Sequence, residues 1–190
     1  MKKMKLVALA LCAPLILASC GNDTRAQVMA KAETYTLEKA AEKYGAGKHK
    51  TVTKFTVAKG EEAKVKALAI SIPVPVIDSE TEVDVVINPL VLVGKDKLED
   101  YEADVKEESK KSETEYAVPS YTYADDKVTF QATYSKTLSE KKVSLATDVY
   151  YEWNDVGLFT SYVYTVAGVS EDEELQFVYT STETFTWQAK

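Results

Sequence analysis

From residue 116 to the end of the chain, apolar and polar residues alternate with a period of two, and this most constrains the fold. Val128, Phe130, Ala132 and Tyr134 alternate with polar residues, as do Val143, Leu145, Val149, Tyr151 and Trp153. In the final run Leu175, Phe177, Tyr179, Phe185 and Trp187 oppose Val178, Thr180, Thr182, Thr184 and Thr186. Successive side chains of a strand point to opposite faces, so the pattern calls for strands with one apolar and one polar face. Residues 158–167 are apolar at both parities and read as a central strand. The separators are Leu138-Ser139-Glu140-Lys141, Asn154-Asp155-Val156-Gly157 and Ser170-Glu171-Asp172-Glu173, all rich in turn formers. Links this short join antiparallel neighbours, which predicts a meander.

The first half is less regular. Candidate strands fall at 48–58, 63–76 and 82–93, rich in Val and Ile. Pro73 and Pro75 cannot donate ladder hydrogen bonds, so that strand end belongs at a sheet edge, and Pro89 raises the same objection to the third strand. Upstream, Thr24-Arg25-Ala26-Gln27 fits a capping box, and apolar residues recur at three-to-four spacing from Val28 to Tyr44. Gly45 stands where a helix C-terminal glycine would. The expectation is one helix over 24–44, weakened in its middle by Thr34-Tyr35-Thr36. The predicted fold is mainly β (α+β): a single domain, 24–190, in which one N-terminal helix packs on an antiparallel meander sheet, curved or doubled into a sandwich.

The chain opens with Lys2, Lys3 and Lys5, followed by an apolar run from Leu6 to Leu17 interrupted only by Pro14. That run is too short to span a bilayer as a helix and fits a signal peptide. It ends Leu17-Ala18-Ser19-Cys20, which resembles the lipobox of bacterial lipoproteins. The resemblance implies that residues 1–19 are removed, that Cys20 is diacylated and becomes the first mature residue, and that 20–23 form a short tether. It implies a membrane partner through the lipid on Cys20, and a place in the bacterial cell envelope. In Gram-negative lipoproteins an Asp after the Cys favours inner-membrane retention. Gly21 stands there, so the resemblance points to the outer membrane if the source is Gram-negative.

Cys12 lies within the signal and Cys20 would carry lipid, so the folded part has no free thiol and no disulfide. The 20 basic and 30 acidic residues after position 19 give a net charge of 20 − 30 = −10. Phosphate contacts need dense positive charge, so no nucleic-acid partner is expected. The charge is uneven along the chain. Residues 25–66 carry ten Lys/Arg against five Glu, and residues 67–190 carry ten Lys against 24 acids. One reading lays the basic stretch against anionic headgroups; the other leaves its lysines merely solvated.

Few residues suggest chemistry. Gly45-Ala46-Gly47-Lys48 superficially resembles a phosphate loop, but Glu42 and His49 occupy positions that need Gly and Ser/Thr, so no cofactor is expected. His49, the only histidine, reads as an exposed loop residue between two lysines. Residues 95–116 form a charge run, expected as a solvated loop, a protruding hairpin or a short helix. Within it Asp96, Asp100, Glu102 and Asp104 are weak candidate oxygen ligands for Ca²⁺, without EF-hand spacing. Nine of 12 Tyr, both Trp and four of five Phe fall in 116–190, which suits sheet cores and also recognition surfaces. The expected binding face is Thr180, Thr182, Thr184 and Thr186. The favoured function is a membrane-anchored, non-catalytic binding module for an envelope protein or glycan. A carrier of an apolar ligand in a curved sheet is second, and a small carboxylate-based hydrolase third.

Overall fold

The computed structural model describes residues 21–62, 65, 78–111, 120–138 and 141–190. In chain order these form α1 (Gly21–Ala32), α2 (Leu37–Lys43), β1 (Tyr44–Lys59), β2 (Ser79–Val85), a 3-10 turn (Pro89–Val91), α3 (Lys95–Lys111), β3 (Ser120–Ala124), β4 (Lys127–Leu138), β5 (Lys141–Trp153), β6 (Phe159–Ser170) and β7 (Gln176–Ala189). All seven strands lie in one curved, unclosed sheet of order β2-β1-β7-β6-β5-β4-β3. Every pairing is antiparallel. The fold is therefore mainly β, with the meander intact from β3 to β7 and β6 at the centre. The sheet curves and does not double into a sandwich.

The alternation of 116–190 translates directly into the two faces of this sheet. Phe55, Val143, Leu145, Val166, Leu175, Phe177 and Tyr179 gather with Val65 in one buried cluster. Val128, Phe130, Trp153 and Phe159 form a second with Val28, Met29 and Ala32 of α1 and Leu98 of α3. Ala40 of α2, Val91 of the 3-10 turn and Leu158 make a third, which takes in Phe185 and Trp187. All three lie on the inner face, and each of these helices supplies its apolar stripe to that side. Phe177 and Tyr179 are both only 2% exposed, so the aromatic side of the last strand is core, as its sequence predicts.

Phe177 also explains a glycine. Gly168 lies opposite it on β6, and a Cβ there would fall 2.2 Å from the Phe177 ring. The ring covers the bare backbone of its neighbour, so this central strand needs glycine at that point.

Four expectations need correction. The helix 24–44 is two helices: the chain turns at Glu33-Thr34, and Thr36 caps α2 by accepting a hydrogen bond from the Lys39 amide at 3.2 Å. The weak segment Thr34-Tyr35-Thr36 is thus a break, with Thr36 using its hydroxyl as an N-cap. Gly45 and Gly47 are not a helix stop; both lie in β1, which starts at Tyr44. Gly47 packs under Trp187, whose ring would be 2.9 Å from an added Cβ. The strand expected at 82–93 is shorter and earlier: β2 ends at Val85, and Pro89 begins the 3-10 turn capped by Asn88. Most of the strand expected at 63–76 lies outside the described residues, but Val65 is helical, its amide bonding to the Glu61 carbonyl at 3.0 Å. The charge run resolves as a helix. Leu98 is 1% exposed and Tyr101 stacks on Tyr151 at 4.4 Å, which gives α3 an apolar stripe among its charges.

Phe177→Ala removes a buried ring and is expected to cost about 3–5 kcal/mol in urea denaturation, as for other large-to-small core changes. Thr182→Ala, on the opposite face, should change stability by less than about 0.5 kcal/mol. A Phe177→Ala midpoint equal to that of the parent would place the strand inside out.

Candidate functional site

The sheet offers two distinct surfaces. On the inner face, between the buried clusters, β1 and β7 bring together residues that the sequence alone leaves in conflict. Glu183 falls on the aromatic parity of β7, where a carboxylate has no business without a partner. His49 supplies one. Its Nε2 lies 2.8 Å from Glu183 Oε2, and Thr51 Oγ1 is 3.4 Å from the same nitrogen. The imidazole stacks on Phe185 with centroids 4.2 Å apart and planes 2° from parallel. His49 is therefore not an exposed loop residue: it is a strand residue whose side chain is 25% exposed. Lys48 and Lys50 point to the other face, where they pair with Asp84 at 2.7 Å and Glu80 at 2.6 Å.

Tyr162 lies directly across from Glu183, and Tyr151 across from Tyr162. The two rings stack at 4.8 Å. Burial pushes both hydroxyls above the ordinary tyrosine range, and the negative charge of Glu183 adds to this. These phenols stay protonated donors at any physiological pH. The strip is a polar seam in an aromatic core, with its hydrogen-bonding groups turned toward one another.

The outer face is different in kind. Thr180, Thr182, Thr184 and Thr186 stand in a row along β7. Thr180 is flanked by Lys54 and Thr165, Thr182 by Val52 and Val163, and Thr184 by Lys50 and Ser161. Further out, Gln131 donates to Asp148 at 2.6 Å and Lys127 pairs with Glu152 at 3.0 Å. The centre of this face is thus threonine-rich and bordered by lysines of β1, two of which, Lys48 and Lys50, are paired with acids of β2. No described helix packs on it.

The remaining candidates disperse. Asp96 and Asp100 are exposed on α3, and the side chain of Asp104 lies outside the described residues. Glu102 is buried and held by Arg25 in a two-pronged pair, Nε to Oε1 and Nη2 to Oε2, both 2.8 Å. That bond raises the Arg25 guanidinium further above its ordinary value. Among the described residues no three His, Cys, Asp or Glu side chains converge as metal ligands would. Cys20 lies outside the described residues; α1 starts at the next position, Gly21. An open depression of about 330 Å³ runs along β1 and the start of β2, lined by Val52, Phe55, Asp78 and Glu80 among others. Its lining mixes apolar side chains with the charged Lys54, Asp78 and Glu80.

The His49–Glu183 contact is testable by a double-mutant cycle. His49→Val alone is expected to cost about 1–3 kcal/mol, because it strands a carboxylate among aromatic rings. Adding Glu183→Val should restore most of that loss, since replacing both partners removes the half-buried carboxylate altogether. If the double variant is as unstable as the sum of the singles, the two residues do not act as a pair.

Compared with protein-family models, with curated proteins and with solved structures, the chain matches none.

Proposed function

We propose that the chain is an envelope lipoprotein, held to the membrane by lipid on Cys20, whose sheet is a non-catalytic binding module. The observation that carries this reading is the one-sidedness of the sheet. Every buried cluster and every described helix packed on the sheet lies on the inner face, while the row Thr180 to Thr186 has none over it. The row, half-buried at Thr180 and Thr182 and exposed at Thr184 and Thr186, presents hydroxyl donors and acceptors beside methyl groups, with the lysines of β1 next to it. That chemistry suits a glycan or another envelope protein. Glu102 and Glu183, two acids on the inner side, are each engaged, by Arg25 and by His49.

The anchor fits the same picture. No helix among the described residues is long and apolar enough to cross a membrane. Two acyl chains hold a protein firmly without one. With α1 starting at Gly21, the lipid would sit at the first turn of the folded domain. The basic stretch 25–66 contributes less to membrane contact than its charge suggests. Arg25, Lys43, Lys48 and Lys50 are each paired, with Glu102, Asp155, Asp84 and Glu80.

Two experiments test the two halves. Cells producing the chain should incorporate labelled palmitate into it, and Cys20→Ala should abolish both label and membrane partition; label retained in that variant would overturn the anchor. A photo-crosslinking residue at position 182 should give a discrete heavier adduct in those cells, while the same residue at the inner-face position 145 should give none. If no adduct forms at 182 and the Thr182→Arg variant still binds isolated cell-wall glycan as the parent does, the outer face is not the binding surface.

A further inference from the structure

The two edges of the sheet are not alike. At one edge β3 is only five residues long, and α1 packs beside it, with the Arg25 guanidinium 5.9 Å from the centre of the Tyr123 ring. Short strands and covering helices are ways of blunting an edge. At the other edge β2 pairs with β1 through seven residues in unbroken register, and no described strand pairs with its far side. Every β2 residue except Val85 is exposed. β2 has no proline and no bulge.

The chemistry of this edge is specific. Alternation puts Glu80, Glu82 and Asp84 on the outer face, and Thr81, Val83 and Val85 on the inner one. Val83 is 56% exposed, and just beyond the strand Val86 is 65% and Leu90 81% exposed. An apolar group of this kind beside a free edge is a liability unless something docks there. A second copy is disfavoured by parity. Any pairing of β2 with itself that keeps the two inner faces on the same side sets acid opposite acid, and like charges directly opposite destabilise a ladder. The strand already on its other side shows what fits. Lys48 and Lys50 of β1 reach Asp84 and Glu80, with Glu82 between them near both lysines but in no ion pair among the described residues.

We infer that the edge of β2 that no described strand pairs with is a docking site for an extended segment of a partner protein. That segment carries Lys or Arg at alternate positions on the outer side and apolar residues between them. It adds as an eighth strand: backbone hydrogen bonds give affinity, the acid row selects its basic residues, and the exposed Val83 receives its apolar ones, with Leu90 exposed just past the strand end. This site is separate from the threonine face of β7.

A fluorescein-labelled ten-residue peptide alternating Lys and Val, tested by anisotropy against the full chain in detergent, examines the inference. A Glu/Val peptide is the control. The Lys/Val peptide should bind, and its bound form should slow hydrogen exchange at amides 79–85. Glu82→Lys should weaken binding about ten-fold, while Glu173→Lys, with the same change in net charge at the β6–β7 turn, should change it less than about two-fold. Leu90→Ser supplies a second edge variant should Glu82→Lys perturb folding, and it too should weaken binding. Thr182→Arg should leave binding intact, which separates this site from the outer face. Equal weakening by Glu82→Lys and Glu173→Lys, equal binding of the Glu/Val peptide, or protection elsewhere on the sheet would each overturn the inference.

Discussion

The ladder between the first and last strands is the interaction on which the rest of the structure depends. β1 pairs with β7 from Tyr44 opposite Ala189 to Lys59 opposite Gln176. Without it the meander β3 to β7 would end in an open edge at β7, and β2 would have no strand to pair with. The ladder closes at its far end with the Lys190 amide bonding to the Lys43 carbonyl at 3.0 Å. It also places Gly47 under Trp187 and His49 on Phe185. Joining residues so distant in sequence costs chain entropy, but that cost grows slowly, by about 0.6 kcal/mol for each doubling of the loop. A long ladder and a shared aromatic core offset it.

The same ladder fixes which way the sheet faces. Parity in β7 puts Phe177 and Tyr179 inward and the threonines outward, and β1 adopts the matching parity, with Phe55 in and Lys48, Lys50 and Lys54 out. The helices follow the apolar side. Ala32, Ala40 and Leu98 each bury against the inner face, so all the shielding goes to one side and the other remains open.

Much of this was legible in the sequence, because period-two alternation is a local signal. The strands of 116–190, their turns, the antiparallel meander and the core parity of Phe177 could all be read from spacing. The order of the sheet could not, because nothing local in residues 44–59 records that they will lie beside residues 176–189. His49 and Glu183 show the consequence. Glu183 looked anomalous as an acid in an aromatic row, His49 read as an exposed loop histidine between lysines, and only the long-range register makes them partners. The charge run was opaque for another reason: α3 buries Leu98 and Glu102 and stacks Tyr101, a stripe too thin to stand out in a helix with seven acids. The split of charge along the chain had the opposite fault. It was obvious in sequence, yet pairs such as Lys43 with Asp155 and Arg25 with Glu102 cancel part of it in space.

Native-state hydrogen exchange tests the central role of the β1–β7 ladder most directly. If that ladder holds the fold together, amides of Thr53–Phe55 in β1 and of Tyr179–Ser181 in β7 exchange only through global opening. Their opening free energies should then agree within about 0.5 kcal/mol of each other and of the equilibrium stability. The contrary result is a β1 that opens several kcal/mol more easily than β7, by sub-global release from a meander that remains folded without it.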